Sequence, residues 1–558
     1  MKNIYVLGLC YSHDASVCLL KDGVPIVAIQ KERLSRKKHD GSITDIDLGD
    51  CINYCLGAEG INLSQIDLVI ENSPTVLYCK EKGNILGFAR SRLLDNLDKN
   101  KIIQISHHLA HAYCAYGLSN FRKCAVMVID GQGNYKEDLT EDFSKAIIYP
   151  SFCESSYIER ESFYDFSNGK YKVLRKNLST IHKSFIRLSG LGHLYESVSS
   201  YIFKSRFDAG KLMGLAPYGE KNMPFKMLDI KNKAEIIYYN EWVKKFCHPN
   251  RDAGCLKKYF KEYADLANKT QKELEKAVVA LSRWIKSITK CENLVYAGGV
   301  ALNCSANTQI LNNSGFKNIF IAPPASDCGV SIGCALYGYL NILGKSKKEI
   351  NYLDYLGRAY TEVDIISAIR KNKKMVIYRK SSNVSKEIAK LISSGEVIGW
   401  FQGKSEFSPR ALGNRSIIAD PRNLKMKDKI NLGIKKREFF RPFAPSVLEE
   451  EAFEFFDIKY SPYMLLTTKV KKNKKNMIPA VVHIDNTSRI QTVNKIQNPI
   501  YYSLIKEFYA LTKIPMILNT SFNSNEPIVE TPGDALNCFF ESGLDTLCIG
   551  DYIIKKQK

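Results

Sequence analysis

The chain has 558 residues, 45% hydrophobic and 25% charged, with a formal net charge of +22 and a mean hydropathy of −0.21. That length predicts roughly three or four folding units with ample core, so neither disulfides nor metal staples are needed for folding. The composition excludes collagen-like, disordered and membrane-embedded chains. The positive charge admits nucleic acid, acidic surfaces and small polyanionic substrates, but no basic arm or low-complexity tract marks a nucleic-acid binder.

Residues 4–9, 15–20 and 24–29 are apolar runs separated by a polar loop at 10–14 and a Lys21-Asp22-Gly23 turn, which predicts three strands. Residues 124–129 form a buried-type strand ending in the small-residue turn Asp130-Gly131-Gln132-Gly133-Asn134, and another strand is predicted at 145–149. Two strand–polar turn–strand units predict an internally duplicated nucleotide-binding α/β fold, its turns facing a common cleft. Leu274, Ala277, Val278, Leu281 and Ile285 fall at helical spacing, placing a helix over 270–290. A strand at 294–297 then opens through Gly298-Gly299 into a helix predicted over 300–311. That arrangement lets a nucleotide approach backbone closely and aims N–H donors at an anion. A strand at 319–322, the turn Pro323-Pro324-Ala325-Ser326-Asp327 and a small-residue helix at 328–339 follow. A lysine-rich polar stretch near 341–351 reads as a linker, giving units 1–345 and 346–558. The second unit alternates helix and strand at 363–370, 375–378, 386–393 and 397–401, an α+β pattern.

Three of the nine histidines lie in His107-His108-Leu109-Ala110-His111. On a helix, His107 and His111 share a face at the i, i+4 spacing that lets two imidazoles reach one metal, while His108 points elsewhere. Asp130 and Asp327, each at the end of a strand, complete a set of two imidazoles and two carboxylates suited to iron, manganese or zinc. Taken singly, either aspartate reads first as a helix cap or turn residue. His13, in a loop beside Asp14, is a candidate general base near neutral pH. Lys211, between Gly210 and Gly214, is a candidate phosphate contact outside any Walker A loop. In the second unit, four loops interleave basic residues with Ser and Asn: 408–416, 435–443, 485–489 and 519–523. Together they predict a pocket for phosphate oxygens and a small planar amide. The 16 cysteines include no C-x-x-C pair, so zinc-ribbon chemistry is not expected and reduced, buried thiols are. The apolar run after Lys2 is too short for a signal peptide and no run reaches transmembrane length, so a cytoplasmic enzyme is expected.

The combination of motifs resembles the O-carbamoyltransferases of nodulation-factor and antibiotic biosynthesis. The matching segments are 12–16, 32–41, 107–113, 129–133, 210–219, 297–303 and 323–329, then 409–416, 436–447, 483–491 and 519–527. They span the chain in the family's order. The resemblance implies an N-terminal actin-like ATPase unit and a C-terminal YrdC-like unit. It further implies that carbamoyl phosphate and Mg-ATP form carbamoyl adenylate in the second unit. A hydroxyl of a sugar or glycan acceptor then takes the carbamoyl group in the first unit. By the same resemblance, His107, His111, Asp130 and Asp327 hold iron(II), His13 is the base, and Gly298, Gly299 and Asn303, with Lys211 nearby, line the nucleotide cleft. Lys436, Arg437, Ser521 and Asn523 match YrdC-like elements, and Arg410, Arg415 and Arg489 are further candidates for carbamoyl phosphate or ATP. Lys31 departs from the family, which has an acid there, and this puts local acceptor contacts in doubt. The alternative is a fused tRNA threonylcarbamoyl-type enzyme, which predicts an RNA-binding basic stripe and a threonine pocket. Acceptor identity and oligomeric state, a homodimer included, stay open.

Overall fold

The computed structural model describes residues 2–41, 47–73, 91–149, 157–180, 189–239, 242, 256, 258–350 and 354–557. The chain divides into two compact units, one of Met1–Lys31 with His39–Asn351 and one of Glu32–Lys38 with Tyr352–Lys558. The short segment at 32–38 goes with the second unit because its arginines are bonded there. Arg33 Nη2 donates to the Ser408 carbonyl at 2.8 Å, and Arg36 donates to the carbonyls of Ile528 and Pro527 at 2.8 and 2.6 Å.

The first unit is built on two sheets with one plan. In the first sheet, β1 (Tyr5–Cys10), β2 (Ser16–Lys21) and β3 (Val24–Gln30) form an antiparallel meander. β4 (Leu68–Asn72) and β5 (Ile102–Gln104) extend it in parallel, giving the order β3-β2-β1-β4-β5. In the second sheet, β6 (Lys123–Ile129), β8 (Tyr157–Ser167) and β9 (Lys170–Thr180) are the meander, preceded in sequence by β7 (Ala146–Ile148) after β6. A small separate hairpin pairs β10 (Leu228–Ile230) with β11 (Ile236–Tyr238). β12 (Asn293–Ala297) and β13 (Asn318–Ile321) are the parallel strands of the second sheet. Its order, β13-β12-β6-β8-β9-β7, repeats the first sheet with β7 added at one edge. This is the duplicated α/β arrangement of the actin-like ATPase type.

The strands read from apolar runs, β1, β2, β3, β6, β12 and β13, lie within a residue or two of their expected places. The β8–β9 hairpin carries no such run: Glu159, Arg160, Glu161, Lys176 and Asn177 are buried within it. The expected helix over 300–311 is split. Residues Gly299–Leu302 make a 3₁₀ turn, and the α-helix Cys304–Asn313 starts afresh after Asn303. Asn303 leaves helical geometry and its side chain accepts from the Ala306 N–H at 3.0 Å, an N-cap.

Two helices set the functional geometry. The helix His107–Leu118 is buried along its whole length and packs against the helix Val330–Tyr337. Their contact is backbone-close. A Cβ on Gly333 would lie 1.8 Å from the Ala110 carbonyl oxygen, so only glycine fits there.

The second unit has an eight-stranded mixed sheet in the order β14-β23-β22-β15-β16-β21-β17-β20. Its members are β14 (Val376–Lys380), β15 (Ile398–Phe401), β16 (Arg415–Ala419), β17 (Ala444–Leu448), β20 (Gln491–Val493), β21 (Met516–Ser521), β22 (Thr546–Ile549) and β23 (Tyr552–Lys556). β18 (Thr467–Lys469) and β19 (Thr487–Arg489) pair separately. Its core includes Trp400, Ile417 and Leu518 of the strands, Phe522 just after β21, and Ile388, Ile392, Tyr501 and Phe508 of the helices Val384–Ser393 and Pro499–Thr512.

Candidate metal centre and anion site

In the first unit His107, His111, Asp130 and Asp327 converge. One ligand atom from each lies within 4.8 Å of the others, and all four residues are buried. His107 and His111 come from successive turns of one helix. Asp130 comes from the turn after β6, and Asp327 from the 3₁₀ turn Asp327–Gly329 that leads into Val330–Tyr337. His107 Nε2 is 3.5 Å from Asp130 Oδ2 and 3.3 Å from Asp327 Oδ1, and His111 Nε2 is 3.6 Å from Asp327 Oδ1. No hydrogen bond forms at these contacts: among the described residues the buried Nε2 atoms of His107 and His111 have no partner. An orphaned buried nitrogen pair facing two buried carboxylates fits a divalent cation, whose two charges balance the two carboxylates.

The residues behind this cluster aim it. Asn72, at the end of β4, lies 2.8 Å from His107 Nδ1 through Oδ1, so Nδ1 carries the proton and donates, leaving the Nε2 lone pair for a metal. Asn134 Oδ1 accepts the His107 backbone N–H at 2.6 Å, and its amide donates to the Ser73 carbonyl at 2.8 Å. Asp130 Oδ1 accepts the Gly299 N–H at 2.7 Å, which turns Oδ2 toward the histidines. Gly298 has φ +93°, and a Cβ there would meet the Ile129 carbonyl oxygen at 2.2 Å. The Gly298-Gly299 turn thus brings a backbone donor to a metal-ligand candidate.

The charges are strongly coupled. Burial opposes protonation of His107, yet Asp327 and Asp130 more than reverse this and raise its pKa to about 10. Burial and Asp327 act to raise Asp130, but His107 and His111 hold it down at about 2. Asp327 is well below the usual carboxylate range, because His107 and His13 outweigh its burial. His13 adjoins the cluster: its Nδ1 is 3.4 Å from Asp327 Oδ2 and its Nε2 is 3.8 Å from Asp14 Oδ2. Burial works to lower the His13 pKa, and Asp14 and Asp327 raise it overall. Asp14 also accepts from His39 Nδ1 at 2.8 Å, and the His39 ring stacks on Phe207 at 4.2 Å. His39 and Phe207 were not expected as site residues. His39 lay within a matching segment, but nothing in the sequence pairs it with Asp14.

Two other residues expected in the nucleotide cleft are engaged locally. Asn303 caps its helix and exchanges hydrogen bonds with Gln271 at 2.9 and 3.0 Å. Lys211 pairs with Asp208 at 3.0 Å.

In the second unit the lysine that meets Ser521 and Asn523 is Lys435. Its Nζ is 3.1 Å from Ser521 Oγ and 2.6 Å from Asn523 Oδ1, whereas Lys436, at φ +45°, is exposed. Lys435 is buried, and among the described residues no carboxylate is bonded to it. Burial and the neighbouring Arg437 push its pKa well below that of a free lysine. Burial, Arg441 and Arg489 likewise depress Arg437, whose Nε donates to Asn431 Oδ1 at 2.7 Å. Cations crowded at such cost mark a candidate anion site. Arg441 was not among the expected residues. Arg415 is fully buried, and its guanidinium donates to the carbonyls of Gln402, Asn414, Gly403 and Glu530. It organises the loops around β16. Arg410 sits half-buried in the loop before that strand.

The family comparison decides between the chemistries such sites allow. Residues 5–82 and 75–336 match the family described as carbamoyltransferase N-terminus, and residues 389–556 match carbamoyltransferase C-terminus. The chain belongs to the O-carbamoyltransferase family. It is 34% identical over 582 aligned residues to nodulation protein NolNO of Sinorhizobium fredii, covering 98% of this chain and 79% of that protein. It is 32% identical to nodulation protein NolO of Bradyrhizobium diazoefficiens over 81% of this chain and 79% of the relative. It is 29% identical to 3′-hydroxymethylcephem-O-carbamoyltransferase of Amycolatopsis lactamdurans over 46% of this chain and 48% of that enzyme. The protein is an enzyme of ATP-dependent carbamoyl transfer to oxygen. Among the described residues no helix is long and apolar enough to cross a membrane. The described cysteines are buried and form no disulfide.

Proposed function

We propose that the two units divide one reaction. The second unit, as a YrdC-like domain, joins the carbamoyl group of carbamoyl phosphate to the AMP moiety of ATP as carbamoyl adenylate, releasing phosphate and pyrophosphate. The first unit transfers the carbamoyl group to a sugar or glycan hydroxyl and releases AMP. The observation that carries this reading is the pairing of a buried two-histidine, two-aspartate cluster in one unit with a crowded, buried Lys435–Arg437 cation pair in the other. An anion between Lys435, Arg437, Arg441 and Arg489 relieves their mutual repulsion, so a carboxylated or phosphorylated substrate is bound most strongly there.

In the first unit, His107, His111, Asp130 and Asp327 would hold the metal, which we assign as iron(II) within the iron, manganese and zinc range of this donor set. Such an ion, when bound, offsets charge on the phosphate leaving group. His13 accepts the proton of the attacking hydroxyl at whichever nitrogen faces the acceptor, with Asp14 and Asp327 stabilising the imidazolium that results. Buried walls around the cluster exclude water from the mixed anhydride. Lys211 and the Gly298-Gly299 turn remain our candidates for the nucleotide side of this cleft, and Arg410 and Arg489 for the substrates of the second unit. We place the reaction in the cytoplasm, where carbamoyl phosphate and ATP are at hand.

The test is an acceptor screen. With carbamoyl phosphate, Mg-ATP and iron(II), a panel of oligosaccharides, aminoglycosides and nucleotide sugars is examined for a mass gain of one carbamoyl group with equimolar AMP. Carbamoylation of a tRNA instead of any saccharide would overturn the acceptor assignment.

A further inference from the structure

Under the metal cluster lies a closed circuit of buried polar side chains that neither the transfer chemistry nor the cation site uses. Lys176, on β9, is fully buried between two fully buried carboxylates, Glu141 and Glu159. Its Nζ is 2.6 Å from Glu141 Oε1 and is bonded to Glu159 Oε1. Each carboxylate spends one oxygen on Lys176 and turns the other toward the start of the helix His107–Leu118. Glu141 Oε2 accepts from the Ser106 hydroxyl, and Glu159 Oε2 accepts the Asn134 backbone N–H at 3.2 Å. Asn134 in turn holds the His107 N–H at 2.6 Å. The circuit therefore leaves the helix at Ser106 and returns at His107, two consecutive residues. A third tie comes from His108, whose Nδ1 lies 2.8 Å from Ser162 Oγ, itself 3.3 Å from Glu159 Oε1.

Burying three charges costs several kcal/mol each in desolvation, and apolar residues of the same volume are often as stabilising or more so. Stability alone gives no reason for such a group here. Position does. A helix start has free N–H groups that no intrahelical carbonyl satisfies, and in this helix the first two turns carry both metal histidines. Asn134 takes the first of these N–H groups, and Glu159 and Lys176 fix Asn134.

We infer that the buried Glu141–Lys176–Glu159 triad is the positioning device of the metal centre, fixing the start of the histidine helix and thereby the aim of His107 Nε2. This rests on reading the His/Asp cluster as a metal site. The residues touch no substrate; they act through Ser106 and Asn134.

The test uses the full-length protein and cobalt(II) alone, read by its visible absorption bands and by affinity against a competing chelator. The neutral triple variant Glu141→Gln, Lys176→Met, Glu159→Gln keeps side-chain volume while removing the charges. The single variant Glu159→Gln cuts the link more gently where the triple variant folds poorly. Both should bind cobalt about ten- to a hundredfold more weakly, with shifted absorption bands. Lys176→Arg, which keeps the charge, should recover most of the affinity. Val278→Ala, a cavity in the core of the helix Phe260–Thr289, should lower the melting temperature yet keep the cobalt spectrum. Wild-type affinity and spectrum in Glu159→Gln, or an equal spectral change in Val278→Ala, would overturn the inference. A different failure marks the underlying reading: if His111→Ala binds cobalt as tightly as the wild type, the cluster is not the metal site.

Discussion

Metal affinity should climb with pH, and the slope follows from the geometry of His107. Its Nε2 lies 3.3 and 3.5 Å from the carboxylates of Asp327 and Asp130. Burial disfavours the imidazolium, but these carboxylates overcome that and hold the pKa at about 10. A metal ion needs the same nitrogen lone pair and must displace the proton. Asp130, at about 2, and Asp327, well below the normal range, are ionised throughout and release nothing. Between pH 7.5 and 9, each unit should therefore tighten binding about tenfold, or roughly 30-fold across the window, levelling off above the His107 value. Manganese(II) titrations against a chelator of known pH dependence measure the slope, and an indicator dye in weak buffer counts about one proton released per ion from this histidine. The stability of the metal-free protein runs the opposite way. A histidine whose pKa is raised on folding stabilises fully below the unfolded value of 6.5, and that contribution is lost as pH rises toward about 10. The metal-free protein should thus melt lower at pH 9 than at pH 7. An affinity that stays flat from pH 7.5 to 9 would refute the proton competition and the close carboxylate–imidazole arrangement behind it.

Other substitutions probe separate parts of the site. Lys435→Ala should reduce adenylate formation at least a hundredfold, as expected for loss of a buried charge-assisted contact, while Lys436→Ala should leave it within about twofold; pyrophosphate release from ATP and carbamoyl phosphate distinguishes them. His13→Ala should slow transfer by about 10²–10⁴ and leave adenylate formation intact, read as AMP release against adenylate accumulated. Gly333→Ala forces a Cβ to within 1.8 Å of the Ala110 carbonyl oxygen, so it should cost about 1–3 kcal/mol and weaken cobalt binding as the two helices part, both visible in a thermal melt with and without the ion.

What was legible in the sequence was what short-range pattern encodes. The apolar runs of β1, β6 and β12 and the i, i+4 spacing of His107 and His111 depend on neighbours within a turn or a strand, and the structure places them as the pattern predicts. The grouping of Asp130 and Asp327 with those histidines was expected because each ends a strand and because the family resemblance sets them together. The hairpin β8–β9 was invisible because its buried face carries Glu159, Glu161 and Lys176, whose burial depends on partners far away in sequence. The choice between Lys435 and Lys436 turned on one left-handed residue: φ +45° at Lys436 carries that side chain out and leaves Lys435 facing Ser521. Arg415 and Asn303 carried the right chemistry for ligands, but backbone carbonyls and a helix N-terminus use it instead. Residue type alone does not separate those two uses.

The division of labour is tested most directly by quenching a single turnover of His107→Ala, and of Lys435→Ala, with labelled carbamoyl phosphate and Mg-ATP. His107→Ala should accumulate carbamoyl adenylate close to one equivalent per chain, whereas Lys435→Ala should form none yet still consume carbamoyl adenylate supplied to it. Loss of adenylate formation in His107→Ala, or normal formation in Lys435→Ala, would contradict the two-site account.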